Sequence, residues 1–224
     1  MEVHARLLPV RTPARPDGIA LVLHGGGSRE QGVRVSPTQL SVLRMVPVAR
    51  RVARAGRGRL AVWRLLNSTR GWDTGWTPVD DVGWALDELA QRYGADVPVS
   101  LVGHSLGGRA ALLSADRAPV RSVVAMAPWV YVNDGVEAPG RRVLFVHGDE
   151  DRVADLPRAR AVAARMARTA SVGFVTVTGG KHSMLRRGRV FDALAADFVA
   201  ETLDVRRATG TLRPVLDGAE TLVV

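Results

Sequence analysis

Six short apolar runs punctuate the chain, at Gly18–Leu23 and at residues 60–63, 97–102, 120–125, 143–146 and 172–177. Each is continuous rather than alternating, the pattern of a strand covered on both faces. Between them the apolar residues take helical spacing, most clearly over residues 79–93, 106–117, 157–168 and 189–203. One buried stripe per helix follows from that spacing. Strand and helix alternating in this way predict an α/β fold, a mostly parallel central sheet with helices on both faces.

Local signals refine the helix ends. Thr77-Pro78-Val79-Asp80 offers an N-cap hydroxyl, a proline at the first helical position and an acid in the first turn, so Asp80 and Asp81 read as capping or solvated groups. Pro47 interrupts the pattern over residues 39–55, where the helix is either kinked or begins nearby. No repeat, low-complexity tract or linker separates two cores, so residues 1–224 read as one domain with its core at about 18–202. Residues 206–224 follow the last strong helix pattern as a C-terminal extension, and Leu212 to Leu216 with Asp217-Gly218 suits a hairpin or a loose tail equally.

Composition removes several classes of function. With no cysteine, disulfides, thiolate catalysis and thiolate metal sites are excluded, and neither a metal nor a cofactor is implied. The formal charge of +9 raises the question of an acidic partner. Its arginines are scattered, however, and Lys181 is the sole lysine, so the cations form no run that argues for nucleic acid. Neither a signal-peptide core at residues 1–6 nor an apolar run of membrane-spanning length is seen, which gives a cytoplasmic, non-membrane expectation. The oligomeric state is left open.

Candidate chemistry centres on Gly103-His104-Ser105-Leu106-Gly107. This Gly-x-Ser-x-Gly stands between a predicted strand and a predicted helix, the context of a nucleophile elbow, in which a sharp turn exposes the serine. A serine hydroxyl needs a base to take its proton. His182 is the candidate, carried in Gly179-Gly180-Lys181-His182-Ser183 just past the last strand run. His24 and His147 end strands, His104 lies within the elbow and His4 is near the terminus, all plainer positions. An orienting carboxylate is expected between serine and histidine in sequence, and Asp149, Glu150 and Asp151 crowd the end of one strand run. By length from that strand, Asp149 and Glu150 sit in the turn while Asp151 can point back towards the histidine loop. Backbone donors for an oxyanion are offered by the Leu106 amide and by the turn His24-Gly25-Gly26-Gly27.

Together these motifs resemble the α/β-hydrolase superfamily, and within it small lid-less members similar to dienelactone hydrolases and prolyl-oligopeptidase-like hydrolases. The resemblance covers roughly residues 18–202 and rests on His24 to Gly27, Arg70-Gly71-Trp72, Gly103 to Gly107, His147-Gly148 with Asp151 and Val153, and Lys181-His182. It implies Asp151 as the acid, Gly26 and Leu106 as oxyanion donors, and Arg70-Gly71 as a supporting turn. Only residues 128–140 are available where many members insert a lid, which implies an open site. Substrate contacts then fall to residues 28–38, 67–77 and 128–140, where Trp72, Trp76 and Trp129 either form an acyl or leaving-group pocket or plug the edge of the core. The expected activity is a serine esterase working through an acyl-enzyme on Ser105, with a small-molecule acyl substrate. A thioesterase or acyltransferase would use the same residues, and a non-catalytic ligand-binding member would be expected to lack one of Ser105, Asp151 and His182. Peptidase activity fits less well, since the chain has little room for peptide-binding insertions.

Overall fold

The computed structural model describes residues 5–27, 32–72, 75–208, 210–216 and 221–224. His4, Ser28, Asp73, Thr74 and the Asp217-Gly218 pair lie outside them. Eight strands form one sheet, β1 (Arg6–Arg11), β2 (Gly18–Leu23), β3 (Leu60–Leu66), β4 (Val99–His104), β5 (Val120–Met126), β6 (Arg142–Gly148), β7 (Ser171–Val177) and β8 (Thr221–Val223). Their order is β1-β3-β2-β4-β5-β6-β7-β8, and every pairing is parallel except that of β1 with β3.

Among the described residues six helices cover the sheet: α1 (Leu40–Ala55), α2 (Thr77–Tyr93), α3 (Leu106–Leu113), α4 (Leu156–Met166), α5 (Gly188–Thr202) and the single turn α6 (Arg213–Leu216). Strand alternation divides the core in two. Ile19, Leu21 and Leu101 point to the face packed by α2, α3 and α4, whereas Ala20, Val22 and Val102 point to the face packed by α1 and α5. All residues of β2 and β4 are buried, which is why these strands read as unbroken apolar runs.

Several local expectations change. Helix α1 starts at Leu40 and runs through Pro47, which fixes a start that the sequence left open. The N-cap of α2 is Trp76, so Thr77 is already helical. Asp81 is neither a cap nor solvated: it is buried and accepts hydrogen bonds from the Asn67 side chain (3.1 Å), the Ser68 amide (2.9 Å) and the Ser68 hydroxyl (3.0 Å). That buried carboxylate ties the loop after β3 to α2, and burial raises its pKa against the lowering effect of those bonds. Residues 210–216 are a 3-10 turn leading into α6 rather than a hairpin, and β8 then pairs with β7. Among the described residues no helix is long and apolar enough to cross a membrane.

The chain reverses its direction of winding between β2 and β4. Beyond the carboxyl ends of strands at such a switch point a crevice opens where side chains from several loops converge.

Candidate active site

Strand β4 turns into α3 at a single residue, Ser105, whose φ of 55° and ψ of −120° lie where side chains rarely go. Such a conformation costs about 1–3 kcal/mol and persists only where its surroundings enforce it. Here the Ser105 amide donates to Met126 O (3.0 Å), and the Ser105 carbonyl accepts from Arg109 N and Trp129 N, each at 3.1 Å. The flanking glycines allow close backbone packing. A Cβ on Gly103 would lie 2.2 Å from Gly107 O, and one on Gly107 would lie 2.4 Å from His24 O.

His182 Nε2 lies 3.0 Å from Ser105 Oγ, and its Nδ1 lies 2.9 Å from Asp151 Oδ2. The three clustered acids have separate partners. Asp149 accepts from the Gly179 amide (2.7 Å), and Glu150 faces Lys181 across 3.7 Å at the surface. Asp151 has a fully buried side chain, and its second oxygen accepts from the amides of Val153 (2.8 Å) and Ala154 (2.9 Å). Burial works against ionising Asp151. The hydrogen bonds from His182, Val153 and Ala154 outweigh it and hold the pKa below the usual carboxylate value. An ionised Asp151 places the imidazole proton on Nδ1 and leaves Nε2 free to accept from the serine hydroxyl.

The loop carrying His182 is braced by residues the motifs did not reveal. Arg44 of α1 donates to Ser183 O and Met184 O, each at 3.1 Å, and pairs with the Asp192 carboxylate of α5 at 3.0 Å. Met184 and Arg187 in that loop have positive φ. His104, next to the serine, donates from Nε2 to the His182 carbonyl at 2.8 Å. Burial, helped by the neighbouring His182 and Arg44, pushes the His104 pKa down to about 3, so its ring stays neutral. His24 and His147 are also buried with lowered pKa values, chiefly through desolvation.

The glycine turn after β2 passes directly over the serine: a Cβ on Gly25 would press on Ser105 Cβ at 2.9 Å. Leu106 opens α3 and, like the first residues of any α-helix, has no intrahelical acceptor for its amide. Gly26, with φ of 119°, and Leu106 both line the cleft that contains Ser105. At the Arg70-Gly71 turn the Arg70 amide donates to Val33 O at 2.7 Å.

The cleft has a volume of about 870 Å³, within the range of small-molecule sites. Trp72 and Trp129 line it, whereas Trp76 lies outside the lining, 55% exposed and edge-on to Trp72. Sequence reasoning missed Arg109, one turn along α3 from the serine. Its buried guanidinium makes two bonds to Asp134 (2.7 and 3.0 Å) and lies 4.0 Å from the Trp72 ring centroid and 4.7 Å from that of Tyr131. Asp134 also accepts from the Tyr131 amide (2.7 Å), which orders the connection between β5 and β6 where a lid would be inserted. Among the described residues no three His, Asp or Glu side chains converge to hold a metal ion.

Sheet order, elbow and short β5–β6 connection together define the α/β-hydrolase fold without a lid. Particular solved structures share it. The chain is similar to Est1E from Butyrivibrio proteoclasticus, solved with ferulic acid (TM-score 0.64, 16% identity, 89% of this chain and 96% of that one). It is similar also to XC6422 from Xanthomonas campestris, described as an α/β serine hydrolase without lid (TM-score 0.63, 20% identity, 88% and 87%). A third is an α/β serine hydrolase homologue from Coxiella burnetii (TM-score 0.63, 18% identity, 88% and 91%). No protein-family model and no curated protein matches the sequence.

Proposed function

We propose that the protein is a serine hydrolase that cleaves a small ester through an acyl-enzyme on Ser105. The observation that carries this reading is the unbroken series from Ser105 Oγ to His182 Nε2 (3.0 Å) and from His182 Nδ1 to Asp151 (2.9 Å) at the head of an open cleft. His182 takes the serine proton as Oγ attacks the carbonyl carbon, and Asp151 stabilises the imidazolium without itself being protonated. The tetrahedral oxyanion turns to the amides of Gly26 and Leu106. His182 then protonates the departing alcohol, and in the second half-reaction it activates the water that releases the acid.

Neighbours of this fold whose names describe esterases, among them an arylesterase and an esterase from Pyrobaculum calidifontis, favour an ester as the bond cleaved. The direct experiment is labelling with a fluorophosphonate probe and mapping of the adduct by mass spectrometry. The adduct is expected on Ser105, and Ser105→Ala is expected to lower ester turnover by about 10³-fold or more while the circular dichroism stays native. A folded native chain that neither labels nor turns over short esters would overturn the reading.

A further inference from the structure

The lining of the cleft differs from one side to the other. Five of the nine large apolar side chains exposed on the described surface, Leu40, Leu43, Tyr131, Val153 and Leu185, stand around this one opening. Concentrated exposure of that kind marks a contact surface for an apolar ligand. On the face of the sheet covered by α1 and α5 the wall is aliphatic, made of Leu40 and Leu43 from α1 with Leu185 from the loop leading into α5. On the face covered by α2 and α3 it is largely aromatic, made of Trp72, Trp129 and Tyr131 beside Leu106 of α3, with Trp129 and Tyr131 edge-to-face at 5.0 Å and Tyr131 resting on the Arg109 guanidinium.

Among the described residues that line the cleft, the two arginines are already paired, Arg44 with Asp192 and Arg109 with Asp134. The described lining contains no carboxylate. A charged substituent that meets only these residues would lose water without gaining a counter-ion, which is costly.

Chemistry at Ser105 assigns the two walls. Of the groups on the tetrahedral carbon, the leaving oxygen must face His182 Nε2 to receive its proton, and the oxyanion must face Gly26 and Leu106. Arg44 of α1 bonds to Ser183 O and Met184 O, which seats the aliphatic wall against the His182 loop, so the departing alcohol passes along it. The remaining group, the acyl chain, turns to the aromatic side. Resting on the serine-hydrolase reading above, we propose that the substrate is an uncharged ester, with a flat apolar acyl group against Trp72, Trp129 and Tyr131 and an aliphatic alcohol along Leu40, Leu43 and Leu185.

The test is a crossed comparison of kcat/KM on the purified chain with methyl and octyl benzoate, methyl acetate and the monomethyl ester of succinic acid. The native chain is expected to prefer octyl over methyl benzoate and benzoate over acetate, and to cleave the succinate half-ester at least tenfold more slowly than methyl acetate. Leu43→Ser with Leu185→Ser should lower the octyl-to-methyl ratio about tenfold, and Trp129→Leu should lower the benzoate-to-acetate ratio by a similar factor. Tyr131→Ala, at a half-exposed position, carries the second arm should Trp129→Leu not fold. Crossed effects, in which the leucine variants change acyl preference and the aromatic variants change alcohol preference, overturn the assignment. So does a half-ester cleaved as fast as methyl acetate. Ester cleavage or Ser105 labelling that survives alongside such results leaves the hydrolase reading standing, whereas the absence of both removes the two together.

Discussion

The elbow and the histidine loop meet within 3.0 Å, yet they are held by different means. Around Ser105 backbone packs on backbone: Gly103 approaches the carbonyl of Gly107, and Gly107 approaches that of His24. Around His182 the backbone packs as closely only at Gly180, where a Cβ on Gly148 would lie 2.1 Å from Gly180 O, and the rest of the work falls to side chains reaching in from elsewhere. Gly180 does pin the start of the loop, its carbonyl accepting from the Glu150 amide at 3.0 Å. Beyond it, Arg44, Asp192 and His104 hold residues 182–184. Backbone packing tolerates no added atom, whereas a side-chain brace can be removed with the fold retained at a measurable cost.

The largest effect is therefore expected at the elbow. A methyl group on Gly107 would meet His24 O at 2.4 Å and Leu23 O at 2.8 Å, both backbone atoms of β2 or its end. Relief requires the first turn of α3 to move away from the end of β2. Gly107→Ala should cost several kcal/mol, a large share of the about 5–15 kcal/mol typical of a folded domain. Urea unfolding of the two proteins measures this, and an unchanged midpoint would show that the elbow has room for the added methyl group.

A smaller loss is expected from the brace. Arg44→Met leaves the Asp192 carboxylate buried without its cation, and breaking a buried pair in this way costs about 3–5 kcal/mol at side chains that are 8% and 12% exposed. Pairing Arg44→Met with Asp192→Asn removes the stranded charge, so most of the stability should return. The two carbonyl contacts to Ser183 and Met184 do not. The double variant should thus melt near the native temperature while its kcat and its rate of Ser105 labelling stay down by about tenfold with KM little changed; recovery of both would make Arg44 a purely structural residue.

This contrast also explains what was legible in the sequence. The glycine requirement at the elbow lies within five consecutive residues, and the apolar runs of β2 and β4 record burial on both faces. The position of His182 after β7 follows from chain order. Arg44 and Asp192, in contrast, are 148 residues apart and meet only because α1 packs on α5. In a chain with 31 basic residues nothing local distinguishes Arg44, or Arg109 with its partner Asp134. Asp81 looks like a helix-start acid because it is one in sequence, but its partners Asn67 and Ser68 lie in the preceding loop. Strand β1 carries Pro9 and has no fully buried residue, as an antiparallel edge strand can, and β8 has only three residues. Both are placed by the neighbour each pairs with.

His104 belongs to both regions, and its titration offers a finer probe. Its folded pKa of about 3 lies below the ordinary 6.5, so between those values the unfolded chain binds more protons. Stability is then full above about pH 6.5 and falls with pH towards 3, by up to about 1.4 kcal/mol per pH unit for one group. His24 and His147, lowered in the same direction, add to the slope. Urea midpoints measured from pH 8 to pH 5 should show this decline, and His104→Gln should flatten it by one proton. A parallel profile in the variant would mean that His104 is already charged in the folded state.

The smallest effect is expected where the two loops touch at the surface. Lys181 sits beside His182 and Glu150 beside Asp151, and their 3.7 Å ion pair links the histidine loop to the acid loop as visibly as Arg44 does. Its side chains are 54% and 49% exposed, however, so water and salt screen the attraction and two long side chains lose freedom in making it. Exposed pairs of this kind are worth about 0–1 kcal/mol, equivalent to no more than about 2–4 °C in Tm for a chain of this size. Lys181→Ala should fall within that limit and change kcat/KM less than twofold, with the residual effect vanishing in 0.5 M salt. A loss approaching that of Arg44→Met would mean that the surface pair, and not the buried one, holds His182 against Ser105.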